Sequence, residues 1–461
     1  MPLDGILQWG MKEYIHPMEP VGCPRVTSIL LSHYSVKKPG ESDLTRKKKV
    51  QNTAPRKPGR KKNAFITASG RMSRLPPYLF AEIDRQRDAA RRKGMKLIDF
   101  GIGDPDMHTP PFIVEVAQKA VAEPSNHRYP KEEGSPFYLE AVHHWMKTQF
   151  GVETGGDISA AAVIGTKEGL AHVPMVFSNP GDVVLVPNPG YPVYRAASIL
   201  ADCIPVDIPL LQENGFVPDF GSVEKSTLHS ARITYLNYPN NPTGAVLSMN
   251  EMKQMIDFAR TNDILVVSDN SYSHIRFDGK PPSSLLQVEG AADVCLEFHS
   301  LSKTFNMTGW RIGFVVGGST LIRTFIGAKE NIDSGVFTAI QQAGEAALLS
   351  DTSGISERVG IYRSRRDLLV TGLEKLGWDV YPAAGTFYVW VRLPRGADSL
   401  TFARKLISQA GIVVTPGSGF GTFGEGYIRF ALTLPEDQIL KALGRLEQLE
   451  DKLVFQLLFP E

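Results

Sequence analysis

The 461-residue sequence predicts an α/β protein, with a large domain on a mostly parallel sheet and a smaller α+β domain. Strand and helix patterns alternate from about residue 97 to about residue 340, which argues for βαβ units. A longer helical tract at 360–376 ends that alternation. A mixed region follows, with strand patterns at 386–391, 411–415 and 427–432. We therefore expect the large domain to span 116–344 and the small one to combine 71–115 with 345–461. The length suffices for two cores.

Taken in order, residues 1–70 carry 13 Lys+Arg against 5 Asp+Glu, and the remaining residues 37 against 44. Their basic clusters at 37–38, 46–49 and 56–62 are broken by Pro and Gly. Such a segment buries too little apolar surface to offset ordering, and disorder is expected. It reads as an upstream extension not belonging to the mature chain, because Met72 stands where folded-looking sequence begins. A targeting sequence or a nucleic-acid tail is the alternative. From residue 75 an arm carrying Tyr78 enters an amphipathic helix, followed by a strand at 97–100 and a turn at 101–106. Short apolar runs at 161–164, 183–186, 233–236, 264–268 and 312–316 read as strands.

Overall composition, 42% hydrophobic and 21% charged, is that of an ordinary globular protein. The mildly acidic body gives no sign of a nucleic-acid surface. Cys23, Cys203 and Cys295 match neither a disulfide framework nor a zinc site, and point to a reducing compartment. No apolar run approaches membrane-span length.

The chemistry centres on Ser300, Ser302 and Lys303, with Arg311 eight residues beyond the lysine. Lysine forms Schiff bases with carbonyls when its amine can lose a proton. Hydroxyls and a guanidinium suit a phosphate. A phosphorylated carbonyl cofactor needs both features, which makes pyridoxal 5'-phosphate (PLP) the candidate. A plain surface loop is the alternative; a P-loop is excluded because its glycines are missing before Lys303. Asn241 stands in an Asn-Pro-Thr-Gly turn after a strand, where open α/β sheets bind ligands, although those residues form turns in any case. Asp269 ends an apolar strand, with Tyr272 three residues on. It either caps a helix or holds a proton on a pyridine nitrogen, while Tyr272 and Asn241 bond the ring's phenolic oxygen. Gly165, Thr166 and Lys167 open a helix after a strand, which makes either an anion site or an ordinary cap.

Gly419, Gly421 and Gly424 match a dinucleotide fingerprint, but a strand follows them rather than a helix, so the match is rejected. Arg429 inside that apolar strand offers a fork for a carboxylate, or else it snorkels. His143 and His144 read as solvated, His299 as packing, and Phe305 and Trp310 as core; no spacing suggests a metal site.

Together Asn241, Asp269 with Tyr272, Ser300 with Ser302 and Lys303, and Arg311 resemble the class I/II, fold-type-I PLP-dependent aminotransferases, from about Ser73 to the C-terminus. Stretches at 75–83, 101–106, 127–130, 238–244, 299–311 and 331–337 are most similar to members acting on LL-diaminopimelate. The resemblance implies that Lys303 carries PLP and serves as acid–base, with Asp269 on the pyridinium and Tyr191 on the ring face. It implies a phosphate site of Ser300, Ser302, Arg311, Thr166 and Lys167, with Tyr129 reaching the phosphate of a neighbouring subunit in a homodimer. Substrate contacts follow in the same way: Arg429 to the α-carboxylate, Gly103 and Asn241 near it, and Tyr78, Glu132, Lys167 and Asn331 around the distal end. Amino-acid and 2-keto-acid partners are implied, with no nucleic acid or membrane. Alternatives are an aminotransferase for alanine, aspartate or aromatic amino acids, a PLP lyase, and a transcription regulator. The last lacks the periodic helices of a DNA-binding head.

Overall fold

The computed structural model describes residues 67–76 and 79–449. The basic clusters of the N-terminal segment, and Tyr78, lie outside the described residues. Gly70 already begins a short helix, Gly70–Arg74. The strands in chain order are β1 (Ile98–Asp99), β2 (Ile158–Val163), β3 (Val183–Asn188), β4 (Ile204–Pro209), β5 (Ala231–Asn237), β6 (Leu265–Asp269), β7 (Cys295–Ser300) and β8 (Gly313–Gly318). After the helix Ser353–Lys375 come β9 (Asp379–Val380), β10 (Tyr388–Arg392), β11 (Ile412–Val413), β12 (Thr415–Pro416) and β13 (Tyr427–Ala431).

The larger sheet has the order β2-β8-β7-β6-β5-β3-β4. Pairing is parallel from β7 through β4, and β8 runs antiparallel to both its neighbours. Helices cover both faces, so the strands read as apolar runs rather than as an alternation of apolar and polar. Val266 packs into one core, with Trp145, Met146 and Ile256, while Leu265 and Val267 pack into the other, with Leu170 and Phe325. Burying each such side chain contributes about 1.5–3 kcal/mol.

The smaller sheet is antiparallel, in the order β12-β13-β10-β9, and β1 pairs in parallel with β11. Its period of two sorts the site from the core. Val389, Val391, Ile428 and Phe430 pack into the small core, whereas Arg429 and its cross-strand partner Trp390 belong to the opposite face. The helix Ser353–Lys375 serves both bodies, with Ile355 in the large core and Leu369 and Leu373 in the small one.

The structure corrects several sequence expectations. Three strands were not expected: β4, β7 and the two-residue β9, too short to leave a pattern. In β7 the apolar run is interrupted by Glu297 and His299, which are buried and bonded to each other at 2.9 Å. In β4 two prolines hide the pattern, which an edge strand tolerates because one side of its ladder is unpaired. The stretch at 411–415 splits into β11 and β12, which serve different sheets. The long helix starts at Ser353, where Gly354 and Gly360 had weakened its signal. His143 is half-buried, with Nδ1 2.6 Å from the Thr154 hydroxyl, rather than solvated. Trp310 is also only half-buried, and its indole N–H donates to Thr109 at 3.2 Å.

Lys329 is fully buried at the end of the helix Ser319–Lys329. Its ammonium lies 2.7 Å from Asp333 and 3.5 Å from Glu168. Glu168 also accepts the Ile164 N–H at 2.9 Å and faces His172 Nδ1 at 2.9 Å. Glu168, His172 and Asp333 thus converge as metal ligands would, but the lysine ammonium supplies the positive charge. Burial works to raise the Asp333 carboxyl, yet the bond from Lys329 and the Gly335 N–H hold it below its ordinary range. The network ties the first turn of the helix Thr166–Phe177 to the segment after Lys329. Lys329→Met leaves the carboxylates without their partner. It is expected to lower the unfolding free energy by about 3 kcal/mol, read from the urea midpoint at constant m.

Candidate active site

Four connections leave the carboxyl ends of β2, β5, β6 and β7 on one side of the large sheet, where open α/β sheets bind ligands. Gly165 and Asn241 lie on the first two, Asp269 and Ser300 end the strands before the other two, and together they surround a cavity of about 320 Å³. Gly103, Thr166, Lys167, Tyr191, Asn241, Asp269, Tyr272, Ser300, Ser302, Lys303, Arg311 and Arg429 all line it. Tyr129, Glu132 and Asn331 do not; Tyr129 is 89% exposed. The expectation for Tyr78 falls outside the described residues.

Lys303 sits in the one-turn helix Leu301–Thr304, whose N-cap Ser300 accepts the Ser302 N–H at 3.2 Å. The amine donates to the Gly103 carbonyl at 3.1 Å. Burial lowers its affinity for a proton. Asp104 and Asp269 oppose that effect, the Arg311 and Arg429 charges reinforce it, and the result is a pKa of about 8. This is the amine that imine chemistry near neutrality requires. Gly103 leaves the room, because a Cβ there would lie 2.1 Å from the Tyr388 hydroxyl.

Asp269 is buried at the end of β6. One oxygen accepts from the Tyr194 hydroxyl at 2.8 Å, the other from the Ser271 hydroxyl at 2.5 Å and N–H at 3.2 Å. Burial raises its carboxyl above the ordinary range, and the Ser271 and Tyr194 bonds pull it part of the way back. A positive group arriving beside it, such as a protonated ring nitrogen, favours the ionised form. Asn237, one strand over, donates to the Asp269 carbonyl at 2.7 Å and accepts the Asn241 N–H at 2.8 Å, which locks the two loops together.

The anion cup combines Ser300, Ser302, Arg311 and the N-terminus of the helix Thr166–Phe177, which has no side-chain cap. Free N–H groups and the helix dipole favour negative charge there. Gly165 has φ 76°, and a Cβ on it would lie 2.3 Å from an Arg311 terminal nitrogen. Glycine therefore meets both the backbone requirement and the space requirement. Arg311 itself takes the left-handed conformation, φ 55°, a rare setting for a residue with a side chain.

Arg429 is buried in the cavity wall and donates to the Asn241 side-chain oxygen at 2.8 Å and to the Gly101 carbonyl at 3.3 Å. Its guanidinium stacks on Tyr388 at 4.0 Å and on Phe420 at 4.8 Å from the ring centres. Its Nε is buried without a hydrogen-bond partner among the described residues. A buried arginine that lines a cavity and keeps donor capacity in reserve suits a carboxylate, which takes two parallel bonds.

PLP fits this donor set: a lysine of lowered pKa for the carbonyl, a cup for the phosphate and an acid for the ring nitrogen. Sequence reasoning missed Tyr194, Ser271, Asn237, Thr308, Tyr388 and Phe420. Ser271 lay beside Asp269 and Tyr388 in a recognised strand, but nothing local marked the facing side. The amine should capture PLP in the apoprotein at a rate that rises about tenfold per pH unit up to about pH 8 and then levels off. Stopped-flow absorbance checks this; a rise continuing to pH 10 would contradict it.

The class I and II aminotransferase family model matches residues 95–446. The LL-diaminopimelate aminotransferase of Halothermothrix orenii is 47% identical over 83% of this chain and 98% of its own length. That of Aquifex aeolicus is 45% identical over 83% and 99%. Among solved structures, substrate-bound BacF from Bacillus subtilis is 34% identical, with TM-score 0.80 over 84% of this chain and 98% of its own. The matched span contains the cavity, its lysine and its anion cup, and the chain belongs to the class I and II aminotransferases, PLP-dependent transaminases of fold type I.

Proposed function

We propose that this enzyme transfers an amino group between LL-2,6-diaminopimelate and 2-oxoglutarate, with tetrahydrodipicolinate and glutamate as the counterparts, in diaminopimelate and lysine biosynthesis. The observation that carries the reading is the similarity to LL-diaminopimelate aminotransferases over nearly their whole length. The arrangement around Lys303 supports the chemistry.

Bound PLP supplies the electron sink that makes the substrate Cα–H acidic, and it carries the amino group between the two half-reactions. The residues do the rest. Arg429 grips the α-carboxylate, and Asn241 and Gly103 align the group beside it. Nζ of Lys303, once free, would take the proton from Cα as general base and deliver it as general acid to the cofactor carbon on the far side of the amino nitrogen. Asp269 holds a proton on the ring nitrogen. Tyr272 and Asn241 bond the ring oxygen, and Tyr191 covers the ring face. Ser300, Ser302, Arg311, Thr166 and Lys167 hold the phosphate. Closure of the small domain, carrying Arg429, excludes water during proton transfer.

The proposed division is a large domain at 116–344 and a small one of 71–115 with 345–461. The proposed assembly is a cytoplasmic homodimer with shared sites. Tyr129, Glu132 and Asn331, which do not line this chain's cavity, would serve the neighbouring subunit, with Tyr129 at its phosphate. Exposed Tyr129, Ile332 and Phe337 support such an interface.

A coupled assay with LL-diaminopimelate and 2-oxoglutarate, run against aspartate and alanine, tests the substrate. Preference for LL-diaminopimelate is expected, and preference for either control would overturn it. Lys303→Ala should abolish both turnover and the absorbance of the lysine-bound cofactor. Asp269→Ala should keep PLP weakly while losing about 10³-fold or more in kcat, on the scale of lost electrostatic stabilisation. Near-normal rates would contradict its role.

A further inference from the structure

Tyr388 enters the cavity from β10, and nothing above gives it a task. It is buried, and its hydroxyl lies 3.1 Å from that of Tyr272. The face of its ring lies under Arg429, 4.0 Å from the guanidinium carbon. Gly103, whose carbonyl accepts from Lys303, leaves the space that the Tyr388 hydroxyl fills. One side chain therefore touches the arginine of the small sheet, the phenol that follows β6 and the turn that holds the lysine.

We propose that Tyr388 is a positioning residue that directs the phenolic proton of Tyr272 toward the cofactor ring oxygen and links that bond to Arg429. The inference rests on the roles given to Tyr272 and Arg429 under the proposed function. A phenol has one O–H and can otherwise only accept. If Tyr272 donates to the ring oxygen, it must accept from Tyr388, so Tyr388 donates. The stacked guanidinium draws on the electron density of the Tyr388 ring and makes its phenol the better donor. A substrate carboxylate paired with Arg429 offsets that charge and weakens the donation, so filling the carboxylate site is felt at the ring oxygen.

Among the described residues, the charged and titratable groups that act on the pair are Arg429 on β13, Asp269 ending β6, Tyr194 on the helix Val193–Leu200 and Tyr362 on the helix Ser353–Lys375, and Lys303 lines the same cavity. Burial, followed by Tyr388 itself, holds the Tyr272 phenol well above its usual range, so it stays a donor.

The test is the pH titration of the visible absorbance of Lys303-bound PLP in the holoenzyme. Negative charge on the ring oxygen helps to hold the proton on the nitrogen joining Lys303 to the cofactor, and a donor to that oxygen competes for the charge. Weakening the donor therefore raises the midpoint. Tyr388→Phe keeps the ring and its stacking and removes only the hydroxyl. It should raise the midpoint by roughly 0.3–0.8 pH unit, with KM for both carboxylate substrates within about threefold of wild type. Tyr272→Phe should move the midpoint further in the same direction, and the double variant no further than Tyr272→Phe alone. A Tyr388→Phe midpoint at the wild-type value, or a shift that persists in the Tyr272→Phe background, would overturn the relay. An unmoved midpoint in Tyr272→Phe alone would instead overturn the role given to Tyr272, and the relay with it. Tyr388→Leu, which removes the stacked ring, should raise KM for both substrates about tenfold; an unchanged KM would overturn the link to Arg429.

Discussion

The bond from the Lys303 amine to the Gly103 carbonyl joins the two halves of the site. Lys303 belongs to the large sheet through β7, while Gly103 lies in a turn bound to the small sheet. The Ala431 N–H donates to the Phe100 carbonyl, Thr415 donates to the Gly101 carbonyl, and Thr433 to that of Ile102. Arg365 grips both oxygens of Asp106 at 2.7 and 2.9 Å. Any displacement of the small sheet therefore reaches the lysine directly. The same turn keeps the amine enclosed, and enclosure is the largest cause of its low proton affinity.

Burial sets the working state of the other charged groups as well, but with opposite outcomes. It disfavours ionisation of Asp269, whose bonds from Ser271 and Tyr194 compensate only in part, so the acid favours a cationic partner. Glu297 is equally buried on β7, yet it is held below its ordinary range by His299, Ser284 and the Leu285 N–H. A buried carboxylate whose charge is matched by donors within the chain is already satisfied, whereas one left under-compensated, with acceptor capacity for a ligand's donor, is poised. The Lys329 network behaves like Glu297. Its ammonium is matched from within the chain, and it fixes the helix whose first turn forms part of the anion cup.

Much of the candidate site was legible in the sequence because its parts sit on short, directional motifs. Asp269 ends an apolar strand, Asn241 lies in a turn, and Ser300 to Arg311 is nearly continuous, so residue type and local order were informative. The side chains that hold them were not. Tyr194 reaches Asp269 across 75 residues of sequence, and Tyr388 reaches Tyr272 across 116. No local pattern distinguishes these tyrosines from core. Likewise β7 carries a Glu and a His on one buried face, a pairing that periodicity reads as exposure.

By itself the sequence determined the class of chemistry: a lysine among phosphate donors, an acid at a strand end and an arginine in an apolar strand all depend on residue type and near spacing. It also determined the succession of βαβ units, because apolar runs bounded by turns are local. Only the tertiary structure decided the proton affinity of Lys303, the orphaned donor of Arg429 and the contact between Tyr388 and Tyr272. Each of these depends on which faces of two separate sheets meet. Burial and distance between groups far apart in the chain arise only when the fold closes.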